Sequence, residues 1–402
     1  MKSKTSYFKI STAVIRDDFR RFWVIPVLSF LGFFFTGIFY ILMNIKDIGE
    51  YGGVYMTRFI DTLLSGAYPP YILNLLWVPV LSALLVFRYL HNSGHVMAVH
   101  SQPYTRPTLL NSHTVSCILF TAIPIILTGI ILLIIATPCY YGQDYYPSQE
   151  DMVDVFTRVN VLKWMWESFL TSMFILAISI IGGMITGTPF HHALAALGFN
   201  AVVPMCTYML ILYFETYLFG YVQPENMGNL IAHMSPALNI LESGYLSLAE
   251  NVFYVVLTLI LYAAAMFLYK KRKLERAAEG IVFDAFNVII TLIFGYLGMT
   301  VMGAAFYEMF DGSLAITTFG YIAGAVLGMV IVRMIIMKTI KIFDKSTLKI
   351  VGLYLVIAVI FFAVLGFDLT GYEKRVPESA DHVEIALEDD ILYRSLLSCD
   401  DK

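Results

Sequence analysis

Residues Thr114–Ala136 read TVSCILFTAIPIILTGIILLIIA and contain no charged side chain. A helix of that length covers the ~30 Å hydrocarbon core of a bilayer. Working outward, eight further runs share this character: Phe22–Met43, Tyr71–Phe87, Glu167–Thr186, Ala195–Phe219, Asn251–Tyr269, Val288–Tyr307, Leu314–Val332 and Leu348–Phe367. Hydrocarbon offers no water to backbone N–H and C=O groups, so such runs satisfy them internally as helices. The expected fold is all-α, a polytopic membrane bundle of about nine transmembrane helices.

Composition agrees. Hydrophobic residues make up 58% of the 402, charged residues 14%, and the mean hydropathy is +0.73. A soluble domain carries more charge. The net charge of -4 gives no basic footprint for nucleic acid. Cys117, Cys139, Cys206 and Cys399 show no ligand spacing and no disulfide framework, and the two within apolar runs (Cys117, Cys206) read as buried thiols. Met1–Arg21 is too polar for a signal n-region, and no small-residue cleavage site follows the first run, which is expected to be an uncleaved span.

Basic residues between the runs fall on alternate sides. Most of the 26 lie in the segments holding Lys2, Lys4, Lys9, Arg16, Arg20 and Arg21, then Arg88 and Arg106, then Lys270–Lys273 and Arg276, then Arg333, Lys338, Lys341, Lys345 and Lys349. Retention of positive charge in the cytoplasm then predicts the N-terminus inside and the C-terminus outside. Trp23, Trp164 and Trp166 suit interfacial belts. Gly320, Gly324 and Gly328 share a helix face, as do Gly183 and Gly187, which predicts close helix packing rather than a dimer seam. Pro26, Pro79, Pro124 and Pro204 predict kinks.

Between the spans, Tyr7–Arg21 places Phe8, Val14, Ile15 and Phe19 at roughly helical spacing with Lys9, Arg16 and Arg20 between them. It reads either as an interfacial amphipathic helix or as a basic flank. Arg88–His113 contains His91, His95, His100 and His113. On one helix His91 and His95 would share a face, but no carboxylate or cysteine lies between Arg88 and Val115, so no metal site is expected. Pro103 and Pro107 are expected to close a short helix that docks a soluble partner. Gly220–Glu250 has no Lys or Arg and an apolar patch, Leu230–Leu241, broken by Pro236, as in a re-entrant pair of short helices. The acidic tail from Asp368 is too short for a domain.

Catalytic patterns are missing. There is no GxxxxGK[ST] phosphate loop, no HExxH (His191 and His192 are adjacent and lack a helical Glu) and no GxSxG. Glu215 is the carboxylate inside an apolar run, read either as an intramembrane polar site or as a group reaching headgroups at the span end. Glu167 is expected in the first turn of its span. Catalytic residues, metal and cofactor are all expected to be none, and the chain is not expected to be an enzyme.

One motif points further. Phe87–Arg106 (FRYLHNSGHVMAVHSQPYTR) resembles a cytoplasmic motif, roughly FRYLHxKRSxDFYHSLPxxR, of bacterial permease subunits of type-2 ABC exporters. Phe87–His91, His100, Ser101, Pro103 and Arg106 match in place. Ser93-Gly94-His95, Met97-Ala98-Val99 and Gln102 depart from it and remove charge. Lys270–Gly280 (KKRKLERAAEG) resembles the basic segment after the sixth span in that group, and Asp368–Asp381 (DLTGYEKRVPESAD) the entry to an extracytoplasmic domain, here short.

The resemblance implies an elbow at residues 1–21, a six-helix transport module at 22–269, a cytoplasmic basic linker at 270–287, three added spans at 288–367 and an extracytoplasmic tail at 368–402. It implies a coupling helix carrying His91, His95, His100, Ser101, Pro103 and Arg106 against a separate ATPase subunit, which would bind ATP and magnesium. It also implies a second permease subunit (homo- or heterodimer), a bacterial plasma membrane with its lipid, and efflux of an amphipathic, lipid-like or antimicrobial substrate. A non-transporting sensor or assembly subunit is the alternative. A polytopic enzyme predicts polar residues clustered at one depth, and the spans offer few candidates beyond Glu215, Asn200 and Asn74.

Overall fold

The computed structural model describes residues 9–47, 54–141, 153–217, 227–342 and 344–366. The N-terminal segment is helical as α1 (Thr12–Phe22). The first span follows as α2 (Val24–Phe33) and α3 (Phe39–Met43), joined by a π-helical turn at Phe34–Ile38. Hydropathy did not single out α4 (Val54–Leu64), which precedes α5 (Pro69–Val86). After the short α6 (Ser93–His100) come three long helices, α7 (Arg106–Ile135), α8 (Arg158–Ile185) and α9 (Pro189–Tyr217). The expected re-entrant segment contains two short helices, α10 (Met227–Ala232) and α11 (Pro236–Ser243). The chain continues through α12 (Leu248–Lys271), α13 (Asp284–Met309), α14 (Leu314–Met337) and α15 (Lys345–Gly366). Strand pairing among the described residues is confined to Tyr140–Tyr141 against Val153–Asp154 and one bridge, Thr186 to Ile281.

The protein is thus an all-α polytopic bundle, and eight helical stretches among the described residues are long and apolar enough to cross a membrane. The ninth expected span coincides with α15, which stands outside those eight. The tail from Asp368 lies outside the described residues.

The hub is α8. Its apolar window is 78% buried, against 17% in α12, and α5, α7, α9 and α12 pack around it. It starts at Arg158, roughly two and a half turns before the expected start at Glu167. That shift corrects two expectations. Trp164 is 1% exposed, with its ring 6.0 Å from Phe33 and 5.6 Å from Tyr71, so it belongs to the core and not to an interfacial belt. Positions two apart on a helix point about 200° apart, so Trp166 faces outward instead. Glu167 sits in the body of α8, buried, where its Oε1 accepts the Leu246 N–H at 3.1 Å, and it is not a first-turn residue. The kink expected at Pro26 is also corrected. Pro26 occupies the first turn of α2, whose N–H groups lack intrahelical partners in any case. Pro79, Pro124 and Pro204 lie inside α5, α7 and α9.

Two polar anchors clamp helix pairs. On α1, the buried Asp18 carboxylate meets His113 Nδ1 of α7 at 2.8 Å, and the Phe19 ring packs tilted against that of Phe120, with centroids 4.7 Å apart. Arg333 was expected just beyond a span, yet α14 runs on to Met337 and buries it. Its guanidinium donates to Asn287 Oδ1 on α13 at 2.9 Å and to Thr347 Oγ1 on α15 at 2.8 Å. The glycine stripe of α14 faces α13 inside the same chain. A Cβ at Gly324 would strike the Gly298 carbonyl, and one at Gly328 the Phe294 carbonyl. Backbones at that separation need glycine on both helices.

Candidate functional site

The expected coupling helix from His91 to Arg106 is three pieces. Phe87–His91 is a tight 3-10 turn after α5. Asn92 then leaves helical geometry and caps α6, its Oδ1 accepting from Gly94 N–H at 3.0 Å and His95 N–H at 3.2 Å. This break puts His91 and His95 on different elements, the first buried and the second exposed, so they share no face. Pro103 follows α6, but Pro107 opens α7, because a proline in a helix's first turn forfeits no hydrogen bond. Arg106 is accordingly the first residue of α7.

Only part of the expected docking set faces outward. His95, Ser101 and Pro103 are exposed, together with Gly94, Met97 and Ala98. Met97 is 69% exposed, while its neighbour Val96, about 100° round the helix, is buried. His91, His100 and Arg106 turn inward and tie α6 and the elements on either side of it to the bundle.

The ties form a connected polar knot. Arg106 Nη1 donates to the carbonyls of Tyr269 (3.2 Å), Lys270 (2.9 Å) and Arg272 (3.0 Å), which satisfies the open C-terminal end of α12. Arg272, 2% exposed, reaches the other way. It donates Nη1 to the carbonyls of Gly183 (2.7 Å) and Met184 (2.6 Å) on α8, and Nη2 to Leu90 O at 2.9 Å in the 3-10 turn. Burial pushes its guanidinium down to about 10, so it remains a cation at neutral pH. His192 donates Nε2–H to Ser179 O at 2.9 Å, which makes its Nδ1 the acceptor for His91 Nε2–H at 3.0 Å in the neutral tautomers that fit this network. Gly183 leaves room for that ring, since a Cβ there would lie 2.8 Å from His192.

His100 completes the knot. Its Nδ1–H donates to Val96 O at 2.9 Å, leaving Nε2 to accept from the Tyr269 hydroxyl at 3.1 Å, which in turn accepts from Tyr89 at 3.0 Å. Burial, aided by the charges of Arg106 and Arg272, holds the His100 pKa below its usual 6.5. The folded state therefore binds fewer protons than the unfolded chain below that value, and the contact is fully present above pH ~6.5 and lost as pH falls toward the folded pKa. Wild-type thermal stability in detergent is expected to fall between pH 7.5 and pH 5.5 by more than that of His100→Gln. Equal losses would show that His100 does not carry this proton linkage.

In the knot two guanidiniums face carbonyls, and His100 and His192 use both ring nitrogens on fixed partners, while His91 bonds through Nε2 and its buried Nδ1 has no hydrogen-bond partner among the described residues. Among the described residues no group of three or more His, Cys, Asp or Glu side chains could hold a metal. Its capability is mechanical. His100 bonds α6 directly to Tyr269 of α12, while Arg106 at the start of α7 and Arg272 through the 3-10 turn fix the elements flanking α6 to α12 and α8. Glu215 lies apart from it, exposed in the last turn of α9. Arg272 and His192 were not recognised from sequence. Nothing in the run KKRK marks its third residue as buried, and His192 stood out only as the neighbour of His191.

The fold and this knot define a polytopic helical membrane protein with a short helix held rigidly at one end. Comparison of the chain with protein-family models, curated proteins and solved structures finds no match.

Proposed function

We propose that the chain is the membrane-spanning permease subunit of an ATP-driven exporter, with α6 as the element that receives the stroke of a separate ATPase subunit. The observation that supports this best is the pairing of an exposed α6 face with a buried knot behind it. A docking helix is useful only if its displacement is not absorbed locally, and here His100 joins α6 to α12 while Arg106 and Arg272 hold the elements flanking it to α12 and α8. In this reading the partner binds ATP and magnesium, a second permease subunit completes the pathway, and the cargo is amphipathic, lipid-like or antimicrobial. In this reading α6 lies in the cytoplasm of a bacterial cell, and the bias of Lys and Arg supports an N-terminus inside and a C-terminus outside. ATP closure of the partner would have to favour one arrangement of the spans by several kcal/mol to drive an alternating cycle.

Met97→Glu tests this reading. The side chain is exposed and makes no tie to the bundle, so folding is left intact. The variant is expected to lose at least about tenfold in co-purifying ATPase, ~1.4 kcal/mol of docking energy, with an unchanged unfolding midpoint. A variant that retains both the partner and its ATPase stimulation would remove α6 from the coupling path. Charge reversal at Arg106 is a poorer probe, because it would uncap α12.

A further inference from the structure

Along α7, α8 and α12 runs an open apolar trench that the reading above does not use. Its first part is a groove of about 660 Å³, floored by Met173, Ala177 and Ile180 of α8 and walled by Ile118 of α7 and Met266 of α12. A second groove of about 460 Å³ continues it between α7 and α8 as far as Ile126 and Leu162, and the two meet at Ile118 and Phe169. From Asn111 to Ile126 the trench follows α7 for about 22 Å at 1.5 Å per residue.

Polarity along it is one-sided. Asn111, Thr114, Thr258 and Tyr262 line the first groove, with Tyr262 donating its hydroxyl to Asn111 Oδ1 at 2.7 Å. Ile10, just before α1, closes that end. The second groove is lined by aliphatic and aromatic side chains and Met165, and its one side-chain N–H, Trp166 Nε1, is paired with Asn251 Oδ1 at 2.8 Å. We propose that the trench binds the acyl chain of a bilayer phospholipid, with the lipid's ester linkage at the Asn111–Tyr262 end.

Three observations favour that occupant over a helix of a second copy. A lipid tail has one polar end and a long apolar body, as the trench does. The trench is longer than the half of the ~30 Å core that a disordered tail fills, so it takes a tail held straight. Helix–helix seams in lipid are built from small residues, whereas the walls here carry mainly Ile, Leu and Met. The binding belongs to the chain in its bilayer and does not rest on a partner ATPase.

The test uses the full chain in phosphatidylcholine nanodiscs doped with a phosphatidylcholine bearing a diazirine on its acyl chain. After irradiation, adducts at Ile118, Phe169 and Met266 are expected to exceed those at the exposed Leu355, Val356 and Val359 of α15 by at least about fivefold, a preference of ~1 kcal/mol. Ala263→Trp, whose exposed side chain would fill the groove, is expected to abolish the excess while leaving α15 labelling unchanged. Ile118→Trp, at the junction of the two grooves, should do the same and guards against a misfolded first variant. Uniform labelling, an excess unmoved by both variants, or cysteine cross-links between two copies at Ile118 would overturn the proposal.

Discussion

Replacing Arg272 with methionine is expected to destabilise the protein by about 3–5 kcal/mol, because a buried cation that serves several buried partners leaves all of them unsatisfied when removed. The orphaned groups are the carbonyls of Gly183, Met184 and Leu90, with the end of α8 and the 3-10 turn losing their shared clamp. Arg272→Lys should recover only part of the loss, since one ammonium on a flexible stem cannot reproduce a planar fork aimed at two elements. The unfolding midpoint in detergent measures the effect. A Met variant within about 0.5 kcal/mol of wild type would show that the buried guanidinium is not what holds the junction.

A comparable loss is expected at the other end of the chain. Gly324→Leu should destabilise the α13–α14 pair by about 3 kcal/mol or more, at or above the upper end of ordinary overpacking. Most overpacked cores relax by rotating side chains. Here the atoms in the way are the Gly298 backbone carbonyl and its neighbours, so the helices themselves must separate. Separation would also pull Arg333 from Asn287, coupling the break to α15. Gly324→Ala should do less damage than Leu but more than an exposed Gly→Ala change, which in a helix is ordinarily stabilising. Unfolding midpoints and protease cleavage at the turn between α13 and α14 read both variants. A Leu variant as stable as wild type would mean that the glycine contact is dispensable.

How much of this was legible depends on what each feature rests on. The spans were legible because hydrophobic length is a local property. The α6 region was legible as a short element ahead of Pro103 and Pro107, but its boundaries were not. Pro107 is compatible with closing one helix or opening the next, and only the capping of α6 by Asn92 and the entry of Arg106 into α7 decide between them. The glycine stripe announced a close approach without naming the partner, which is α13. Glu167 and Trp164 were misplaced together, since polar flanks such as Lys163 and Trp166 look the same whether a helix starts before or after them.

The sequence by itself determined that the chain is a many-span helical membrane protein, because burying backbone polar groups in hydrocarbon leaves few other solutions. It determined approximately where the spans lie and which residue types could pack closely. Only the tertiary structure decided which polar residues are structural. Arg272, Arg333, His192 and Asp18 are ordinary flanking or loop residues in one dimension, and they become anchors because distant segments bring carbonyls, hydroxyls, carboxamides or a ring nitrogen within hydrogen-bond reach. A charge next to an apolar run is equally suited to headgroups or to a buried partner, and the partner's position is set by helix packing, which no local pattern encodes.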